Sequence, residues 1–203
     1  MSKFRFVGDA AALPDHGFGP RSTTWWGVSG FIAIETAGFA LAFAAYFFLM
    51  VQERQWPAGA PPPDLLWGTL TLTLFLLSEL PNQWVKKAAE AENLPKVRQG
   101  LIVMSLIVLP ILVTRALEYD HLGISWDRNA YASITWALLF MHTVHLLTDW
   151  VDTLVLAALM HTRHGQKGRR FVDTSENALY WHFIVISGLL VYAVIYWVPR
   201  IAE

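Results

Sequence analysis

The chain has no cysteine. Thiolate metal sites, disulfides and redox thiols are therefore excluded, and cysteine usage says nothing about compartment. Charge is also scarce: 15% of the residues are charged against 55% hydrophobic. Residues 1–21 lack the apolar core of a signal peptide, so the first hydrophobic segment is expected to act as the membrane signal itself. No phosphate-binding glycine loop, Ser-His-Asp pattern, nucleic-acid signature, internal repeat or low-complexity segment occurs. A mean hydropathy of +0.39 over 203 residues fits a polytopic membrane protein better than a soluble domain.

Long apolar runs supply what charge does not. Five spans are expected, at about 25–51, 65–84, 97–119, 131–160 and 175–198, after a polar cytoplasmic segment 1–24. The fold class expected is all-α, one membrane bundle of five helices. Trp56 to Pro63 contains four prolines and cannot be helical. Asp64 and Asn129 are suited to cap the second and fourth helices, and Asp173 with Glu176 resembles a capping arrangement for the fifth. Pro110 predicts a kink in the third.

Basic residues suggest orientation. Lys3, Arg5, Arg21, Lys86, Lys87, Lys96, Arg98, Arg163, Lys167, Arg169 and Arg170 collect on one side; Arg54, Arg115, Arg128 and Arg200 collect on the other. That bias predicts a cytoplasmic N-terminus and an outside C-terminus. Trp25, Trp26, Trp56, Trp67, Trp84, Trp126 and Trp197 fall near span ends, where amphipathic rings prefer to sit. Trp136, Trp150 and Trp181 lie deeper and are expected to pack between helices.

The segment from Tyr131 to Met160 organises the rest. It is long enough to cross a bilayer, yet it carries His142, His145, Asp149 and Asp152 at spacings of three, four and three. On a helix these form one stripe, and such a stripe is retained only where it faces protein, water or a cofactor. His145 and Asp149 are placed to hydrogen-bond along that face, and His182 on the fifth helix is expected level with Asp149. Three histidines with carboxylates could bind a metal or haem; the plainer reading is interhelical hydrogen bonding. His161 and His164 lie on a basic link and are expected to be solvated.

Glu35 lies near mid-membrane in the first helix, either as a proton-exchanging group or as a neutral acid bonded to a neighbouring helix. Ala33, Ala37, Gly38 and Ala40 around it suggest a close helix contact. Glu79 and Glu118 lie toward helix ends, where solvation or snorkelling is expected, and Arg115 with Glu118 at a spacing of three is suited to an ion pair.

At these residues the sequence resembles cytochrome c oxidase subunit III of the haem-copper oxidases. Trp25-Trp26-Gly27 followed by Glu35 is similar to the family's helix with a buried carboxylate. Arg115-Ala116-Leu117-Glu118-Tyr119 with His121, His142-Thr143-Val144-His145, and Tyr180-Trp181-His182-Phe183 ending in Tyr196-Trp197 resemble its later motifs, in the same order. The five-helix form of the family is the one approached. Arg115 stands where the family has Gln, Thr143 where it has Gly, Asp149 where a small residue is usual, and Val185 where Asp is usual.

The resemblance implies an accessory subunit III of a cytochrome c or quinol oxidase in aerobic respiration. It implies a multi-pass protein of the bacterial inner membrane, without a catalytic centre of its own. Such a subunit packs on catalytic subunit I and on subunit II, which hold the haem and copper. It binds phospholipid but no metal, haem or nucleic acid, and supports proton uptake and the lifetime of the catalytic centre. Glu35 becomes the buried carboxylate; Glu118, His142, His145, Asp149, Trp181 and His182 become proton-handling, lipid-cleft or interhelical anchoring residues. Three alternatives stay open: a subunit III-like partner of a nitric oxide reductase, an independent metallo- or haem protein using His142, His145 and His182, and a small transporter using Glu35 and Asp149.

Overall fold

A computed structural model describes residues 16–53, 55–57 and 59–202. Most of the N-terminal segment, including Lys3 and Arg5, lies outside the described residues, as does Arg54. The described chain is all-helical. Helix α1 spans Thr23–Gln52, α2 Leu65–Glu90, α3 Leu94–Asp120, α4 Ala130–Met160 and α5 Gly168–Tyr192. A π-helical turn, Ala193–Trp197, carries α5 into a short helix α6, Val198–Ala202. Pro199 cannot donate to the Ile195 carbonyl one turn earlier, and a widened turn at that point is a way to absorb the gap.

Local chemistry sets most boundaries. Asp64 accepts from the Leu66 amide at 3.2 Å and Asn129 from the Ala132 amide at 2.8 Å, as expected of both. Ser22 caps α1 and Asn93 caps α3 in the same way. The fifth helix departs from expectation. It begins at Gly168, not at Ser175, and Lys167 at its N-cap makes no side-chain cap. Asp173 therefore lies inside the helix, where Arg170 donates to it at 2.7 Å. The pair satisfies within one helix turn what was read as a cap. Lys86 and Lys87 are likewise helical, because α2 runs on to Glu90. Helix α3 continues without interruption through Pro110.

Four helices, α1, α3, α4 and α5 with its extension, are long and apolar enough to cross a membrane. Helix α2 is not among them. Ser78, Glu79, Asn82, Gln83, Lys86 and Lys87 crowd its second half and lower its hydropathy. Those groups are not adrift: Asn82 donates to the Ala178 carbonyl at 3.0 Å and Ser78 accepts from Trp181 at 2.9 Å.

Helix α2 packs on α3 and α5, and α4 packs on the same two, closing a four-helix ring. Helix α1 lies outside the ring, against α4 and α5. One core cluster, around Phe75, Leu101, Leu146, Trp181 and Ile184, fills the ring toward its basic end. A second, around Phe39, Tyr46, Trp56, Tyr131, Leu138 and Tyr196, fills the other end. Trp56, expected at an interface, is buried there and donates to Tyr46 at 3.0 Å. Trp136 and Trp150 reach the carbonyls of Ile124 and Ser105, so all three deep tryptophans pack between elements as expected. Ala33, Ala37, Gly38 and Ala40 face outward from α1, so the expected close helix contact at those residues is not made within this chain. Glu35 turns inward on the opposite side.

Two glycines are required by close approach. A Cβ at Gly68 would lie 2.3 Å from the Tyr196 ring, and one at Gly188 would lie 2.8 Å from His142 Nε2. Each lets a polar ring cross a crowded helix contact.

Candidate functional site

The stripe on α4 divides. His142 and Asp149, seven residues apart, project within about 20° of each other, and so do His145 and Asp152; the two pairs diverge by about 60°. His142 enters the ring and is buried, and Asp149 is buried against Asn177 on α5; His145 turns toward Glu35 on α1, and Asp152 is exposed at the cleft.

His142 is 0% exposed. Arg115 Nη2 donates to its Nδ1 at 3.2 Å, and its Nε2 donates to the Ile184 carbonyl at 2.9 Å. A guanidinium can only donate, so the ring is the neutral Nε2–H tautomer. Both nitrogens are engaged, and no lone pair remains for a metal. Arg115 also holds Glu118 at 2.9 Å, and Tyr196 donates to the other oxygen of that carboxylate at 2.8 Å. Glu118 is 3% exposed. The expected ion pair is present and the expected solvation is not, because Arg115 and Tyr196 satisfy the carboxylate inside the protein. This cluster joins α3, α4 and α5.

His182 does not come level with Asp149. Its Nδ1 donates to Glu79 Oε2 at 2.5 Å and its Nε2 accepts from Gln83 at 2.8 Å, both on α2. The residue adjoining Trp181 faces α2, while Asn177 and Tyr180, within about one and a half turns of it, face α4 and α1. Glu79 is accordingly paired, not solvated. Among the described residues no three His, Asp or Glu side chains gather as metal ligands.

His145, Asp149, Asp152 and Glu35 line one cleft of about 780 Å³ between α1, α4 and α5. Tyr180 donates to Glu35 Oε2 at 2.6 Å. His145 Nδ1 donates to the Met141 carbonyl at 2.6 Å, which turns its Nε2 toward Glu35 Oε1 at 3.3 Å. An imidazole nitrogen without a proton and a bare carboxylate oxygen repel at that distance. One proton shared between them resolves the contact, resident on either partner. His145 is thus bonded to Met141 and Glu35, not to Asp149. Asp149 Oδ1 instead accepts from Asn177 at 3.0 Å.

Asn177, Tyr180 and Arg115 are functional neighbours that the sequence reading left outside its site. Asp173, Glu176, Asn177 and Tyr180 form a second polar stripe at three- and four-residue spacing, which the argument applied to α4 would have found. Arg115 stands out in the sequence as a partner for Glu118 and as a departure from the family pattern, but nothing there points to its contact with His142.

No family model matches the chain. Cytochrome c oxidase subunit 3 of Thermostichus vulcanus is 20% identical over 176 residues, covering 86% of this chain and 87% of that protein. A probable cytochrome c oxidase subunit 3 of Mycobacterium bovis is 28% identical, covering 82% and 84%. The cytochrome bo(3) ubiquinol oxidase subunit 3 of Pseudomonas aeruginosa is 25% identical over 187 residues, covering 90% and 88%. Similarity running along most of its length, and the ordered motifs on successive helices of an all-helical bundle, support a divergent member of the cytochrome c oxidase subunit III family.

Proposed function

We propose that the chain is the accessory subunit III of a haem-copper terminal oxidase in a bacterial inner membrane, with α2 crossing the bilayer beside the four more apolar helices. It docks on catalytic subunit I and assembles with subunit II. Those partners hold haem and copper and reduce oxygen; this chain holds neither. Relatives named for cytochrome c and for ubiquinol leave both electron donors open.

The observation that carries the reading is the Glu35–His145–Tyr180 cluster on the cleft wall. Glu35 is held by a phenol and faces an imidazole, so it can take or release a proton without moving. Proton uptake is supported there. The apolar wall of the same cleft, Val28, Phe31, Val144, Val155 and Leu159, suits a phospholipid acyl chain. Glu118 and His142 anchor three helices, and Trp181 and His182 anchor α5 to α2.

The test is Glu35→Gln in the assembled oxidase. The variant assembles normally, and proton uptake or the number of turnovers before inactivation changes. Unchanged proton pumping with unchanged inactivation kinetics would reduce Glu35 to a structural residue.

A further inference from the structure

Asp149 is the least satisfied acid in the cleft. It is 3% exposed, and its Oδ2 is buried without a hydrogen-bond partner. A bare carboxylate in that position is costly, whereas a carboxylic acid carrying its proton on Oδ2 buries no charge. The amide of Asn177 donates to Asp149 at 3.0 Å and to Asp152 Oδ2 at 3.3 Å. Thr153 donates to the amide oxygen at 3.2 Å and fixes which end of Asn177 faces the two acids. One neutral side chain therefore bridges a buried acid and an exposed one.

The cleft arranges further acids by depth. At 1.5 Å per residue, Asp173, Asp152, Asp149 and Glu35 lie about 8, 12, 17 and 18 Å from the helix ends at the basic end of the bundle. Groups facing Asp149 across the cleft are Glu35 from α1, His145 and Asp152 from α4, and Asp173, Glu176 and Tyr180 from α5, with Arg170 tied to Asp173. In a bilayer the lateral opening of this cleft meets hydrocarbon, so water enters at the end near Asp173 and Asp152.

We propose that Asp152, Asn177 and Asp149 form a proton-entry relay that links the mouth of the cleft to Glu35. It rests on the proton-exchanging reading of Glu35 and adds its path. Asp149 gives its proton to the Glu35 carboxylate through water in the cleft, and Asp152, reprotonated from water at the mouth, returns one to Asp149. Only O–H bonds form and break, and one proton passes from water at the mouth to each Glu35 carboxylate that is deprotonated. Asn177 is a positioning residue: it holds the two carboxyl groups in register without itself transferring a proton.

The relay is tested on the full-length chain in lipid nanodiscs by infrared spectroscopy during a switch to D2O. The Glu35 bands are those lost in Glu35→Gln. Asp152→Asn and Asp149→Asn each slow isotope exchange at those bands by at least about tenfold, below the roughly 10²–10⁴-fold that a positioned proton-transfer group supplies. Asp152→Glu restores the rate, and Asp149→Asn also removes a separate protonated-carboxyl band. Asp152 is exposed, so its variants fold. Unchanged exchange in the Asp152→Asn protein, or no carboxyl band lost with Asp149→Asn, would overturn the relay. The measurement needs no oxidase activity, so its failure is distinguishable from failure of Glu35→Gln to alter turnover.

Discussion

Arg115 on α3 donates to His142 on α4 across 3.2 Å, and the same guanidinium holds Glu118 at 2.9 Å. Both partners are buried, and the arrangement decides two questions together. It compensates an acid in the interior, and it occupies the ring nitrogen of His142 that a metal would need.

Removing the cation exposes the cost of that burial. Arg115→Leu leaves Glu118 as an uncompensated buried charge, and a loss of about 3–5 kcal/mol is expected. Thermal unfolding in detergent should show a large drop for Arg115→Leu and partial recovery when Glu118→Gln is added. Equal losses in the single and double variants would mean that the pair is not coupled.

Gly188 gives His142 its room. With a Cβ 2.8 Å from Nε2, Gly188→Ala displaces the ring from the Ile184 carbonyl. Overpacking of this kind costs about 1–3 kcal/mol. The expected result is a lowered unfolding temperature with an intact Glu35 site. A wild-type temperature would show that the helices separate freely there.

His182 and Glu79 tie α5 to α2. His182→Ala strands a partly buried carboxylate, and loss of stability without any change in metal content is expected. Bound iron or copper on the purified wild-type chain that falls with His182→Ala would restore the metalloprotein alternative.

Arg200 fastens the proline-rich connector. It donates to the Pro63 carbonyl and to the Tyr196 carbonyl of its own helix turn, each at 2.5 Å. Arg200→Ala should raise the rate of proteolytic cleavage within residues 57–64 while cleavage in the other described loops stays constant. A wild-type pattern would assign the hold to Trp56 and its aromatic neighbours alone.

Much of this was legible before the structure. The number and order of helices followed from apolar runs, and the caps Asp64 and Asn129 followed from their side chains. The pairing of Arg115 with Glu118 followed from spacing. What spacing could not convey was the partner across helices. The α4 stripe reads as one face, yet about 60° of rotation sends His142 to Arg115 inside the ring and His145 to Glu35 on α1. His182 was misplaced because depth in the membrane was inferred without the rotation of α5, which points it at α2. Glu79 and Glu118 were read as solvated because nearness to a helix end was weighed above the tyrosine, arginine and histidine that reach them. The start of α5 was missed because Asp173 and Glu176 imitate a cap, while the true first turn has none.

The central claim is that this chain is a cofactor-free accessory subunit of an oxidase. It is tested most directly by purifying the tagged chain in mild detergent from its own membranes. A redox difference spectrum and metal analysis are then taken on the eluate and on the isolated chain. The account predicts haem and copper that arrive only with larger co-purifying subunits and leave with them. Haem, iron or copper retained by the isolated chain would contradict it.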